Sequence, residues 1–87
     1  MKIKYVRQFI KHFYQRIQPF PNLNRQFDER IKLFLSSPNH PFLKNHKLKG
    51  EKKDRRAFSI TGDIRVVYFI EGGIIYFVDI GSHNQVY

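Results

Sequence analysis

An α+β fold of order βααβββ is what the sequence predicts, on three observations. A short alternating segment opens the chain, two apolar stripes of helical period follow, and the second half carries three β-rich runs separated by glycine turns. At 87 residues there is room for one small domain with a single core, so residues 1–87 are read as one unit, an antiparallel sheet packed against two N-terminal helices.

The opening "MKIKYV" alternates polar and apolar residues as a strand does. Phe9, Ile10, Phe13 and Ile17 then fall on one helical stripe, and "QPFP" stops it. After Pro21, with Asn22 or Asn24 as the expected cap, Phe27, Ile31, Phe34 and Leu35 repeat the pattern until "SSPNHP" ends it. These aromatic stripes are core positions rather than a ligand box. "RAFSITG", "DIRVVYFI" and "GIIYFVDIG" are rich in β-branched and aromatic residues, and the turns at Gly62-Asp63 and Glu71-Gly72-Gly73 make them an antiparallel meander.

Composition bounds the function. Without cysteine there is no disulfide framework and no thiolate chemistry, so the nine Phe and five Tyr must hold the core by packing. "VVYFI" and "IIYFV" fall far short of the roughly 20 residues of a membrane span, and nothing near Met1 resembles a signal peptide, so a cytoplasmic chain with no membrane partner is the expectation. Sixteen Lys plus Arg against seven Asp plus Glu give +9, which calls for a polyanionic partner, nucleic acid first. The charge is concentrated in "KNHKLKGEKKDRR", and no Lys or Arg follows Arg65. A solvated loop that only aids solubility is the plain alternative.

If the last hairpin reverses at Glu71 to Gly73, then Asp63, Arg65 and His83 meet at one end of the sheet. A two-residue turn sets Arg65 opposite Ile80, and a three-residue turn sets it opposite Asp79; the sequence leaves both open. The chemistry is suggestive, because cleaving RNA through its own 2′-hydroxyl takes a base, an acid for the 5′-oxygen and a cation for the charged phosphorane. Histidine can give or take a proton near neutrality, and Arg65 offers a planar fork to phosphate. The plain readings are a turn residue at Asp63, a surface histidine at His83 and an Arg65–Asp79 ion pair.

"NHKLKG" followed by "FSITGDIRVVYFIEGGIIYFVDIGSHNQVY" resembles the C-terminal half of the RelE/ParE toxins of bacterial type II toxin-antitoxin systems, closest to the YafQ-like RelE/StbE branch. The match runs from about Asn45 to Tyr87, and the strand-helix-helix start agrees with it. The resemblance implies a RelE-like fold and a metal-independent mRNA interferase that cuts messages in the ribosomal A site and inhibits translation. Position by position it implies His46, Asp63, His83 and Tyr87 as site residues: His83 the general acid, His46 with Asp63 on the base side, and Tyr87 stacking on or orienting a base. Arg65 joins them as phosphate clamp from its chemistry and position.

Lys47, Lys49, Lys52, Lys53, Arg55 and Arg56 are expected to hold ribosomal RNA and message backbone. The resemblance further implies a cognate antitoxin whose acidic or amphipathic segment covers this surface, a toxin monomeric when alone, and a larger assembly with the antitoxin. The sequence departs from the family pattern where "EKKDRR" replaces a second LKG element, and at Ser59 and Ile64, where relatives carry histidine and tryptophan. His12 and His40 are read as surface or capping residues, and the histidine spacing gives no zinc site. A ParE-like toxin that binds gyrase without cutting RNA, and a decayed member that binds only RNA or antitoxin, are the competing readings.

Overall fold

In the computed structural model, which describes residues 1–52 and 54–87, strand β1 (Lys2–Tyr5) leads into helices α1 (Arg7–Arg16) and α2 (Pro21–Ser36). The two-residue strand β2 (His46–Lys47) follows, then the meander β3 (Arg56–Ser59), β4 (Ile64–Glu71) and β5 (Ile74–Ser82), and a terminal helical turn α3 (His83–Val86). The sheet order is β1-β5-β4-β3-β2. The meander is antiparallel as expected, but β1 pairs parallel to β5, so the sheet is mixed. Periodicity shows that a strand forms and is silent on its direction. α2 begins at Pro21 itself, with Phe20 as N-cap and no capping side chain, because proline is pre-set for the first helical position. Asn24 instead donates to the Gln18 carbonyl at 2.7 Å.

α1 and α2 cover one face of the sheet, where Phe77 is the hub. Its ring centroid lies 5.5 Å from Phe9, 5.8 Å from Phe58 and 6.1 Å from Phe34. Phe34 and Phe58 stack at 4.3 Å and 11°. The second face is only partly covered: α3 folds back so that Val86 closes a small cluster with Ala57 and Val67.

The hairpin decides the site, and it follows neither simple register. Gly72 and Gly73, at φ 57 and 77, form a two-residue turn between Glu71 and Ile74, a conformation that demands glycine-like freedom at both positions. The register then slips, since Tyr68 pairs with Phe77 and Val67 with Asp79, leaving Val78 as an extra residue. Arg65 therefore faces Gly81, not Ile80 or Asp79. The cause lies in the core: Phe77 and Ile80, three residues apart, both reach zero exposure. Strict alternation would have put the Asp79 carboxylate under the helices.

β1 stops at Tyr5, opposite Phe77, and α1 takes over the exposed carbonyls of β5. Gln8 Nε2 donates to the Val78 carbonyl at 3.3 Å and Arg16 Nη1 to that of Ile80 at 2.9 Å. Asp79 is held by His12 Nδ1 at 2.6 Å, with Arg16 at 3.6 Å, which corrects two expectations. His12 is a part-buried partner rather than a surface group, and Asp79 does not pair with Arg65. His40 does cap, accepting from the Phe42 amide at the turn Pro41–Leu43.

A Cβ on Gly81 would stand 2.6 Å from Gln85 Oε1 and 2.7 Å from Arg16 Nη1. Both atoms are occupied, one accepting from the Ser82 amide in the capping box of α3 and the other clasping β5. Gly81→Ala is expected to cost about 1 to 2 kcal/mol by breaking one of these contacts, read as a lowered melting temperature.

Candidate functional site

Helix α3 and the segment around β2 enclose an open cleft of about 540 Å³. His46, His83 and Tyr87 line it together with Lys47, Lys49 and Lys52, while Leu48 and Glu51 complete the wall. His46 comes from the edge strand β2, paired with Ala57 of β3, and His83 is the first residue of α3. The two histidines share one neighbour, as the Tyr87 ring meets His83 edge-on at 4.5 Å and His46 at 6.3 Å.

Local backbone sets the protonation pattern of His46. Lys44 adopts a left-handed conformation (φ 49), and the His46 Nδ1 lies 2.9 Å from its carbonyl oxygen. A carbonyl only accepts, so Nδ1 carries the hydrogen and the neutral ring keeps its lone pair on Nε2. That atom faces the Tyr87 hydroxyl at 3.5 Å. Burial pushes the Tyr87 pKa above the ordinary phenol value, opposed in part by the Arg65 guanidinium beside its hydroxyl. The hydroxyl therefore stays a donor across the physiological range.

Arg65 extends along the outer face of the sheet, with Nη1 at 3.3 Å from the Gly62 carbonyl and 3.4 Å from that of Asp63. Its cross-strand neighbours Ser59 and Gly81 are small, which leaves the guanidinium room. Asp63 sits in the exposed turn that the Thr61 hydroxyl organises by accepting from the Asp63 and Ile64 amides. Among the described residues its carboxylate makes no hydrogen bond or ion pair, so His46, Arg65, His83 and Tyr87 come together while Asp63 stays at the margin. Ile64 packs against the main core rather than the cleft.

The cationic residues divide by task. Lys47 and Lys49 line the cleft, whereas the Lys52 ammonium donates to the Val86 carbonyl at 2.6 Å and fastens the end of α3. Arg55 lies over the Phe69 ring at 4.8 Å, and Arg56 Nε donates to Asn45 Oδ1 at 3.0 Å. Lys53 lies outside the described residues. Asn45 carries no signal in the sequence, yet it also accepts from the Tyr68 hydroxyl at 2.9 Å and donates to the Pro38 carbonyl at 3.0 Å, which fixes the chain just before His46. Asn45→Ala leaves the part-buried Arg56 and Tyr68 donors without that acceptor. A loss of about 1 to 3 kcal/mol is expected by urea denaturation.

Among the described residues, no group of three or more His, Cys, Asp or Glu is placed to hold a metal and no helix is long and apolar enough to cross a membrane.

A mixed sheet with two helices on one face and a cleft under a C-terminal turn defines the class: it is the fold of the RelE-like toxins. The toxin from Helicobacter pylori, crystallised as a copper-bound point mutant, superposes with a TM-score of 0.79 at 25% identity, over 100% of this chain and 99% of that one. YafQ from E. coli strain BL21(DE3) gives 0.83 at 19% identity, over 99% and 97%. YafQ in the E. coli DinJ-YafQ complex gives 0.81 at 20% identity, over 99% and 97%. Among curated proteins none matches the sequence. Residues 1–87 match the family described as "Bacterial toxin of type II toxin-antitoxin system, YafQ", and the chain belongs to that family.

Proposed function

We propose that the protein is a ribosome-dependent endoribonuclease, an mRNA interferase that cuts messages in the A site and so inhibits translation. The observation that carries this reading is the His46 Nδ1 set 2.9 Å from the Lys44 carbonyl, which leaves Nε2 for the cleft shared with His83. His46 Nε2 takes the 2′-hydroxyl proton as O2′ attacks phosphorus, and His83 protonates the departing 5′-oxygen. The products are a 2′,3′-cyclic phosphate and a 5′-hydroxyl, and the step needs no metal. Arg65 meets the charge that gathers on the phosphorane, its guanidinium held on the same face as the Tyr87 hydroxyl. Tyr87 orients or stacks on a base. Asp63 is assigned with His46 to the base side on the family likeness, from its place at the margin of the site.

Lys47 and Lys49 hold the RNA backbone in the cleft, while Lys52, Lys53, Arg55 and Arg56 add their positive charge to the field around it, and affinity falls steeply with added salt. The cellular partner is an antitoxin, since a relative of the same fold is found as the E. coli DinJ-YafQ complex. The toxin alone is monomeric and cytoplasmic. In vitro translation of a defined message, with new 5′ ends mapped by primer extension with and without ribosomes, tests the reading. Ribosome-dependent A-site cuts that vanish in His83→Gln support it. Undisturbed translation with inhibited gyrase moves the chain to the gyrase-binding class, and RNA binding without cuts by the wild type marks it as a decayed member.

A further inference from the structure

On the outer face of the sheet, beyond the part that α3 covers, Phe69 of β4 and Tyr76 of β5 stand opposite one another. Their neighbours Tyr68 and Phe77 point into the core, so these two rings point away from it. They stack with centroids 4.8 Å apart at 11°, and from the β3 side the Arg55 guanidinium lies over Phe69 at 4.8 Å. Three planar groups thus form one column across the sheet. Its Tyr76 end is open: among the described residues no further ring or guanidinium stacks there. The edge strand β1 runs beside that end with Lys4 in register against Tyr76, and since Ile3 packs into the core, Lys2 and Lys4 turn outward.

A cross-strand aromatic pair can serve the sheet alone. Here the column also carries a cation that the protein leaves uncompensated. The exposed Asp54 carboxylate lies 3.9 Å from Arg55 Nε, beyond hydrogen-bond reach, and Arg55 Nη1 has no hydrogen-bond partner among the described residues. The other acid on this face is Glu71, one row nearer the hairpin and level with Lys2 through Ile74. The column is also continuous with the cleft, because a furrow of about 400 Å³ beside Arg55, Val67 and Val78 shares Glu51 and Lys52 with it. Phe69 lies four residues along β4 from Arg65, a span of about 13 Å that a short run of nucleotides bridges.

We propose that the column of Arg55, Phe69 and Tyr76 is a second contact for the message, where an unpaired base outside the cleft stacks on the open face of Tyr76 with its phosphates toward Lys4. Stacked rings between cations suit a single strand, whose bases offer flat faces and whose backbone is anionic. A second copy of this chain would bring +9 against +9. The inference rests on the nuclease reading above and gives the message a path once it leaves His46 and His83.

The test measures Kd for two single-stranded RNAs, 2′-O-methylated so that they cannot be cut: a short one that fills only the cleft and a longer one that also reaches the column. Tyr76→Leu keeps apolar bulk on β5 and removes the flat face, Tyr76→Phe keeps the face, and circular dichroism verifies the folding of both. Tyr76→Leu is expected to weaken the longer RNA about 5-fold or more and to leave the shorter one unchanged, with Tyr76→Phe matching wild type. On programmed ribosomes Tyr76→Leu raises the protein concentration needed for half-maximal cleavage, and the maximal rate stays. An unchanged Kd for the longer RNA overturns the column, while continued cleavage leaves the nuclease reading standing. Equal losses with both RNAs, or the same loss in Tyr76→Phe, overturn it as well. A wild type that cuts no message on ribosomes overturns the nuclease reading and the message as occupant, even where Tyr76→Leu weakens the longer RNA. Retained RNA affinity with lost antitoxin affinity in Tyr76→Leu overturns the proposal and assigns this face to a protein.

Discussion

His83→Gln is expected to slow single-turnover cleavage on the ribosome by about 10²- to 10⁴-fold, the range removed with a positioned general acid. The effect should fall on the chemical step. His83 is an exposed residue at the start of α3, and the hydrogen bonds that fasten this turn come from Ser82, Gln85 and Lys52, none of them altered. Binding of the message and the melting temperature should therefore stay close to wild type. A matched loss in RNA affinity would show instead that the imidazole serves the packing of Tyr87, which it meets edge-on at 4.5 Å. A variant with wild-type rate would remove the general acid from the scheme.

Phe77→Ala is expected to destabilise the chain by about 3 to 5 kcal/mol, the cost of a large cavity in a packed core. The whole protein is worth only about 4 to 13 kcal/mol at its length, so this one change removes much of it. Phe77 is fully buried and its ring is shared among Phe9, Phe34, Phe58 and Tyr68, drawn from both helices and two strands. Rings from so many elements cannot collapse together to fill the space. Urea denaturation at unchanged slope reads the loss; a loss under about 1 kcal/mol would place the core elsewhere.

Much of the fold was legible because its signals are local. The 3.6-residue stripes mark the buried faces of α1 and α2 through Phe9, Phe13, Ile17, Phe27, Ile31 and Phe34, whereas Ile10 and Leu35, read onto the same stripes as core, stand exposed at their borders; the glycine pair marks the hairpin. β2 was not legible, since two residues carry no period, and neither was α3, whose four residues are held by a capping box and by Lys52 from another loop. Of the expected site residues, the structure gathers His46, Arg65, His83 and Tyr87 and leaves Asp63 at the rim. The roles of Asn45 and Lys52 as fasteners could not be read in advance, because each depends on a carbonyl or hydroxyl supplied by a distant segment.

The sequence by itself determined the order of the longer elements, without β2 and α3, together with the aromatic core, the cationic excess and the likeness that led to the toxin family, all of which follow from composition, period and motif. The tertiary structure alone decided which side chains share a face. The extra residue at Val78 turns Asp79 away from the core and sets Arg65 against Gly81, and the left-handed Lys44 fixes which nitrogen of His46 is free. Side-chain facing in a sheet has a period of two, so a single bulge reverses it, and that bulge is placed by the need to bury Phe77 and Ile80 together.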